Sequence, residues 1–286
     1  VSLVFGTHAL LNPDVSWKDL SLVIVDEQQR FGVRQREALL DRGKGVHLLM
    51  MSATPIPRTL ALTAFGDLDV SILPGLPPGR KPITTYLSRL DHLQRVWDFL
   101  KKELSAGRQA YVIYPLIEES EKKQLTDLMS AVDKVRQALA PFSVGVVHGK
   151  LSDDDKVQSM QEFSQGMTSV LCATSVVEVG VDVPNATCMV IVHSEVFGLS
   201  ALHQLRGRVG RGQYPGSCFL VYSGNLTDIA RERLKVLRET TDGFRIAEED
   251  LKLRGPGEIL GNRQAGFLKL RAADLTRDAP FLIQTR

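Results

Sequence analysis

The chain has 286 residues, room for two domains of ordinary size whose cores need neither disulfides nor a structural metal. Hydrophobic residues at 43%, charged residues at 24% and a mean hydropathy of -0.04 argue for an ordinary soluble globular protein and against a disordered, collagenous or membrane chain; no apolar run approaches the ~20 residues that span a bilayer. The balance of 35 Lys and Arg against 33 Asp and Glu leaves +2, which excludes a histone-like polycation but not a locally basic groove.

The chain opens on Val1-Ser-Leu-Val-Phe-Gly-Thr7, which reads as a strand in progress, with no initiator Met and no signal-like segment; the expectation is a piece of a longer protein. Short, β-branched-rich apolar runs then recur at 22–25, 47–51, 110–114, 144–147, 170–173, 188–192 and 218–222, and read as buried parallel strands. Between them, 90–104 carries a helical stripe of Leu93, Val96, Trp97, Leu100 and Leu104, and 125–139 repeats the pattern. Ser152, followed by Asp153, Asp154 and Asp155, is an N-cap with first-turn carboxylates for a helix to Phe163. Alternating strands and helices predict doubly wound α/β layers.

Four prolines and two glycines in Pro74-Gly-Leu-Pro-Pro-Gly-Arg-Lys-Pro82 mark an interdomain linker. After Ser223 the strand-like runs stop, and 226–240 and 247–254 read as two helices. The three cysteines, Cys172, Cys188 and Cys218, sit singly in apolar runs and are expected to be buried free thiols, which fits a reducing cytoplasm.

Chemistry concentrates where strands end. Leu22-Val-Ile-Val-Asp26-Glu27-Gln28-Gln29 is an apolar strand delivering two adjacent carboxylates at its C-terminal edge, where α/β sheets place ligands. One carboxylate can hold Mg²⁺ through waters while the next polarises an attacking water, as phosphoanhydride hydrolysis requires; a turn or helix cap is the plainer alternative. Met51-Ser52-Ala53-Thr54-Pro55 places hydroxyls at another strand end, either as a relay or as an ordinary turn. Thr174, Glu178, Gly180 and Asp182 follow a third strand. Gln204-Leu-Arg206-Gly-Arg208-Val-Gly-Arg211 is a helix-borne arginine cluster whose planar forks suit phosphate oxygens, or a solvated basic face. His148 and His203 read more safely as satisfied structural histidines than as ligands.

In this order and spacing these runs resemble motifs II, III, V and VI of superfamily 2 helicases. The stretches GDLDVS (66–71), LPPGRKPI (76–83), QAYVIYPLIEESEK (109–122), VHGKLS (147–152), FGLSALHQLRGRVGRG (197–212) and DGFRIAEEDLKLRGPGEILGNRQAG (242–266) further resemble the RecG family of bacterial branch-migration helicases over essentially the whole chain. The transcription-repair coupling factor shares the last block's pattern and is the near alternative; a non-enzymatic DNA-binding module is a second one.

The resemblance implies RecA-like parallel-sheet lobes plus a C-terminal helical hairpin: 1–80 as the C-terminal part of a first lobe, 81–225 as a complete second lobe, and 226–286 as a translocation-in-RecG-like hairpin and loop. It implies ATP and Mg²⁺ as cofactors, with Asp26 as the metal ligand, Glu27 as general base, Gln29 completing the catalytic motif, and Arg208 and Arg211 as arginine fingers. Ser52, Thr54 and Gln204 are assigned to coupling, and Glu178, Gly180 and Asp182 to the nucleotide. Thr7 and His8, in a run resembling motif Ib, Thr174, and the loop residues Arg254, Arg263 and Gln264 are assigned to DNA. The implied partners are branched double-stranded DNA, forks and Holliday junctions; a cytoplasmic monomer that needs no membrane is expected.

Two departures stand out. RecG-like proteins commonly carry Asp-Glu-Gln-His in motif II, whereas Gln29 occupies the fourth place, so this side chain hydrogen-bonds but cannot become charged. No G-x-x-x-x-G-K-[ST] phosphate loop occurs in the 286 residues; Gly43-Lys-Gly45 lacks the upstream glycine spacing and the hydroxyl. Without that loop's backbone amides and lysine, the 286-residue chain is expected to show little or no DNA-stimulated ATP turnover. A phosphate-release assay on the purified chain tests this, and robust turnover contradicts it.

Overall fold

The computed structural model describes residues 2–12, 14–27, 45–52, 69, 71, 73, 75, 80–115, 121–174 and 182–254. They fall into two compact units, one drawn from Val1–Leu68 and the other spanning Asp69–Leu253.

In the first unit a short 3₁₀ turn, His8–Leu11, is capped by Thr7, whose hydroxyl accepts the Ala9 N–H. Two strands follow, β1 (Leu22–Val25) and β2 (His47–Met50). They pair in parallel, Leu22 opposite His47 and Val25 opposite Met50, so the residues after both strands emerge at one edge.

The second unit is a six-stranded, wholly parallel sheet built from β3 (Ile83–Arg89), β4 (Gln109–Tyr114), β5 (Val144–Val147), β6 (Val170–Thr174), β7 (Ala186–Val192) and β8 (Gly216–Tyr222), in the order β3-β8-β7-β4-β6-β5. Parallel neighbours require crossovers, and four of them carry the helices α1 (Leu93–Ser105), α2 (Glu121–Leu139), α3 (Asp153–Ser164) and α4 (Leu199–Arg206); α5 (Asp228–Glu239) and α6 (Gly243–Arg254) follow the last strand. Because helices cover both faces, the central strands are apolar on both sides. Ala110, Val112, Cys172, Cys188, Val190 and Phe219 pack against Trp97, Leu100, Val132 and Leu139 of α1 and α2. Their alternate neighbours Tyr111, Ile113, Leu171, Met189, Ile191 and Leu220 pack against Phe163, Leu202, Leu205, Leu234, Leu237 and Ile246 of α3 to α6.

The strands expected from residue 22 onwards are all present, with ends shifted by up to two residues, and Ser152 caps α3 through the Asp155 N–H. The opening run, expected to be a strand in progress, is not one: residues 2–6 pair with no strand among the described residues, and Leu3 and Phe5 stay exposed. All three cysteines are buried free thiols, and burial pushes each thiol up to about 12, so none is a ready nucleophile. Other features differ from the sequence reading as well: α2 starts at Glu121, four residues before the expected 125. β3 has no counterpart among the expected strands, because Ile-Thr-Thr-Tyr-Leu-Ser-Arg is an edge strand, half exposed, whose polar positions hide the apolar alternation. α6 begins at Gly243, four residues before the expected Ala247, because the Asp242 carboxylate accepts the Phe244 N–H at 2.9 Å and starts the helix there. The two C-terminal helices share the core of the Asp69–Leu253 unit, with Leu234, Leu237 and Ile246 nearly inaccessible to solvent. Among the described residues no helix is long and apolar enough to cross a membrane.

The end of the sheet where strands begin is held by Gln109, only 3% exposed. Its Nε2 donates to the carbonyls of Phe163 and Thr168, and its Oε1 accepts from Asn185, joining α3 and the starts of β6 and β7. Gln109→Leu leaves those groups buried without partners and should destabilise the unit by about 1–3 kcal/mol. Urea denaturation followed by circular dichroism checks this.

Candidate functional site

The first cluster follows directly from the β1–β2 register. With Val25 opposite Met50, Asp26–Glu27 and Met51–Ser52 leave the strand pair at the same edge. Asp26 is exposed, and its Oδ1 accepts the Glu27 N–H at 2.8 Å. Glu27 itself adopts φ 52°, a left-handed conformation that costs a non-glycine residue roughly 1–2 kcal/mol and persists where surrounding structure holds it. The tight turn halts the strand and keeps the two carboxylates at the edge. Among the described residues no three His, Cys, Asp or Glu side chains converge into a protein-only metal cage. An exposed strand-end carboxylate suits Mg²⁺, which keeps several of its waters.

The second cluster sits in the Asp69–Leu253 unit. Helix α4 runs back against the direction of β7, so its C-terminus reaches the end of the sheet where strands begin. Gly210 N–H donates to Ala186 O at the start of β7. Gly210, at φ 69°, lies so close to Gly216 that a Cβ on either would meet the other's backbone near 3.1 Å; the loop after α4 therefore nests onto β8. A Cβ on Gly212 would collide with Pro184 O, so the same loop lies against the residues after Asp182. Arg211 Nε lies 3.1 Å from Gly207 O and 3.7 Å from Asp182 Oδ1. Arg208 and Arg211 both bear electrostatically on Tyr111, whose hydroxyl burial nonetheless pushes up to about 12.

Helix α4 ends at Arg206, so Arg208 and Arg211 are presented by a glycine-rich loop rather than by the helix. Arg206 leaves the phosphate-facing set altogether. It is 3% exposed, and its Nη1 donates to the carbonyls of Leu237 (2.6 Å) and Thr240 (2.9 Å) at the end of α5 and lies 3.4 Å from Thr85 Oγ1. A guanidinium at a helix C-terminus satisfies carbonyls that have no intrahelical partner. Sequence spacing offers no signal for this, since Arg206 and Arg208 look alike until one is buried.

Gln204 is exposed on α4, and Asp182 is exposed beside Arg211. Thr174, at the end of β6, is 4% exposed and its hydroxyl has no hydrogen-bond partner among the described residues. It stands at the opposite end of the sheet from Arg211. Thr7 is occupied as an N-cap, and Ser52 is half buried. Gln29, Thr54, Glu178, Gly180, Arg263 and Gln264 lie outside the described residues, as do the side chains of His8 and Arg254.

The family described as "Helicase conserved C-terminal domain" matches residues 91–213, and "ATP-dependent DNA helicase RecG, domain 3, C-terminal" matches residues 240–286. The relative named ATP-dependent DNA helicase RecG from Treponema pallidum (strain Nichols) is 50% identical over 292 residues, covering 99% of this chain and 43% of its own. Its namesake from Bacillus subtilis (strain 168) is 49% identical over 282 residues, covering 97% of this chain and 41% of its own. The chain resembles the C-terminal motor region of RecG helicases.

The solved structure of RecG bound to a three-way DNA junction aligns with a TM-score of 0.72 at 44% identity, over 97% of this chain and 35% of that one. The structure of the L327V variant of S. cerevisiae Dbp5 bound to RNA and ADP BeF3, at 15% identity and a TM-score of 0.52, shares the fold alone. The chain thus spans less than half the length of the RecG relatives it matches.

His203, on α4 of this RecG-like lobe, is pushed down to about 4, first by burial and then by Arg206, against the opposing pull of Asp242 and the Thr241 backbone. The unfolded imidazole titrates near 6.5, so between 6.5 and about 4 the unfolded chain binds a proton that the folded chain refuses. Stability from this group is therefore intact above the upper value and falls as pH drops through that window, by up to about 3 kcal/mol. His203→Gln should flatten the acid limb, as read from denaturation midpoints across that range; an unaltered slope removes His203 as its source.

Proposed function

We propose that this chain is the C-terminal motor portion of an ATP-dependent DNA helicase and double-strand translocase of the RecG type, acting in branch migration and in remodelling stalled forks and Holliday junctions during recombination and repair. The proposed division is 1–80 for the first-lobe portion, 81–225 for the second lobe and 226–286 for the hairpin and DNA-contacting loop. ATP with Mg²⁺ is the proposed cofactor, branched double-stranded DNA the proposed partner, and a cytoplasmic monomer the proposed state.

The observation that carries this reading is the double duty of α4. Its C-terminal loop presents Arg208 and Arg211, while Arg206, two residues earlier, is bonded to the end of α5, the first helix of the hairpin. A shift of the arginine loop is thereby passed to the hairpin through a buried, charge-assisted contact rather than through a mobile linker. That arrangement suits a lever moved by nucleotide state.

In this reading Asp26 holds Mg²⁺ through its waters, and that ion supplies charge neutralisation at the phosphates when bound. Glu27 accepts the proton of the attacking water on its carboxylate. Arg208 and Arg211 offer forked donors to the charge that develops on the triphosphate. Thr7, His8, Thr174, Arg254, Arg263 and Gln264 are proposed to meet the DNA backbone, where contacts position without reading sequence. Gln29, Ser52, Thr54 and Gln204 are proposed to couple the two events, and Glu178, Gly180 and Asp182 to border the nucleotide.

The test is fork-dependent ATP turnover and fork unwinding by the full-length parent. Glu27→Gln should abolish turnover, and Arg211→Ala should lower it by about 10³-fold or more. If both variants unwind forks like the unmodified parent, the assignment fails. Arg263→Ala should leave hydrolysis largely intact while slowing translocation, whereas equal losses in both would give Arg263 a folding role.

A further inference from the structure

The segment 74–82 stands out in the sequence as a linker, yet Arg80 within it is tied to the arginine loop. Arg80 Nη2 donates to Gly207 O at 2.8 Å, and Arg211 Nε donates to the same carbonyl at 3.1 Å. Gly207 caps the C-terminus of α4, so its carbonyl is one of the unpaired groups at the negative end of the helix dipole, a natural seat for cations. Two guanidinium groups share this seat, and the exposed Asp182, 3.7 Å from Arg211 Nε, is the carboxylate set against them. Burial and, after it, the proximity of Arg211 lower the pKa of Arg80, against the opposing pull of Asp182.

From the shared Gly207 carbonyl and the crowding of Arg80, Arg211 and Asp182, we infer that Arg80 is a positioning residue for a polyphosphate site on the arginine loop. Arg80 fills the helix-terminal carbonyl that Arg211 would otherwise monopolise, and its charge opposes a full retreat of Arg211 onto that carbonyl and Asp182. Arg211, which lies on that carbonyl and beside Asp182, is thereby held loosely enough for an incoming anion to draw it away. A polyphosphate relieves the mutual repulsion of the two guanidinium groups, so its arrival is also felt at Arg80, on the segment that leads into β3. The inference rests on the proposed nucleotide-facing role of Arg208 and Arg211. It adds a residue that lies more than a hundred positions from them in sequence and outside their motif.

The probe is inorganic tripolyphosphate titrated into the 286-residue chain, followed by NMR through the arginine Nε–Hε resonances, which report binding without any turnover. Arg80→Met should weaken tripolyphosphate about tenfold and shift the Arg211 resonance in the free chain, with the thermal midpoint little changed. Arg80→Lys, which keeps the charge but loses the fork and preserves the stem's packing, should recover part of the affinity. Full affinity in Arg80→Met beside a clear loss in Arg211→Ala overturns the role of Arg80. Full affinity in both, or no response of the unmodified chain, overturns the phosphate-facing reading beneath it. Should Arg80→Met unfold, affinity in the folded Arg80→Lys variant equal to that of the unmodified chain overturns the requirement for the guanidinium fork.

Discussion

Parallel pairing is the constraint from which the larger unit follows. Each parallel neighbour demands a crossover, four of the connections here carry a helix, and helices on both faces leave the central strands without a polar side. Hence β6 and β7 are buried at every position, and alternate residues of one strand belong to two separate cores. The same constraint places α5 and α6. They pack with Leu202 and Leu205 of α4 on the sheet face that carries Leu220, so these two helices belong to the core of this unit rather than hang from it.

From that packing comes the division of labour along Gln204–Arg211. A helix lying on a sheet buries one stripe and exposes the other. Arg206 falls on the buried stripe with Leu202 and Leu205, and is tolerated there because the carbonyls of Leu237 and Thr240 take its hydrogen bonds. Arg208 and Arg211 lie past the helix end, on a loop drawn against β8 by the Gly210–Gly216 contact. One short segment therefore holds a structural cation and a presented pair, separated by a single turn of backbone.

Much of this was legible beforehand for a physical reason. Strands buried on both faces must be continuous apolar runs, and such runs stand out; 22–25 and 144–147 match the expected bounds to the residue. Caps are likewise local chemistry, as Ser152 shows. The Asp26–Glu27 pair was recognisable because a strand end is where a sheet presents carboxylates, and the positive φ of Glu27 adds a geometric mark that sequence does not carry. β3 escaped because an edge strand keeps polar residues on its open side, and the onset of α6 escaped because Asp242 is an unremarkable loop residue until it caps a helix.

What the sequence determined by itself was the periodicity of each element and the order of its chemical motifs, since both depend on residues near one another along the chain. Which of several similar arginines is buried, which is presented and which reaches across from position 80 was decided only by tertiary structure. Those outcomes depend on where a helix end lands on the sheet and on which carbonyls it leaves unpaired, and neither is encoded within any one motif.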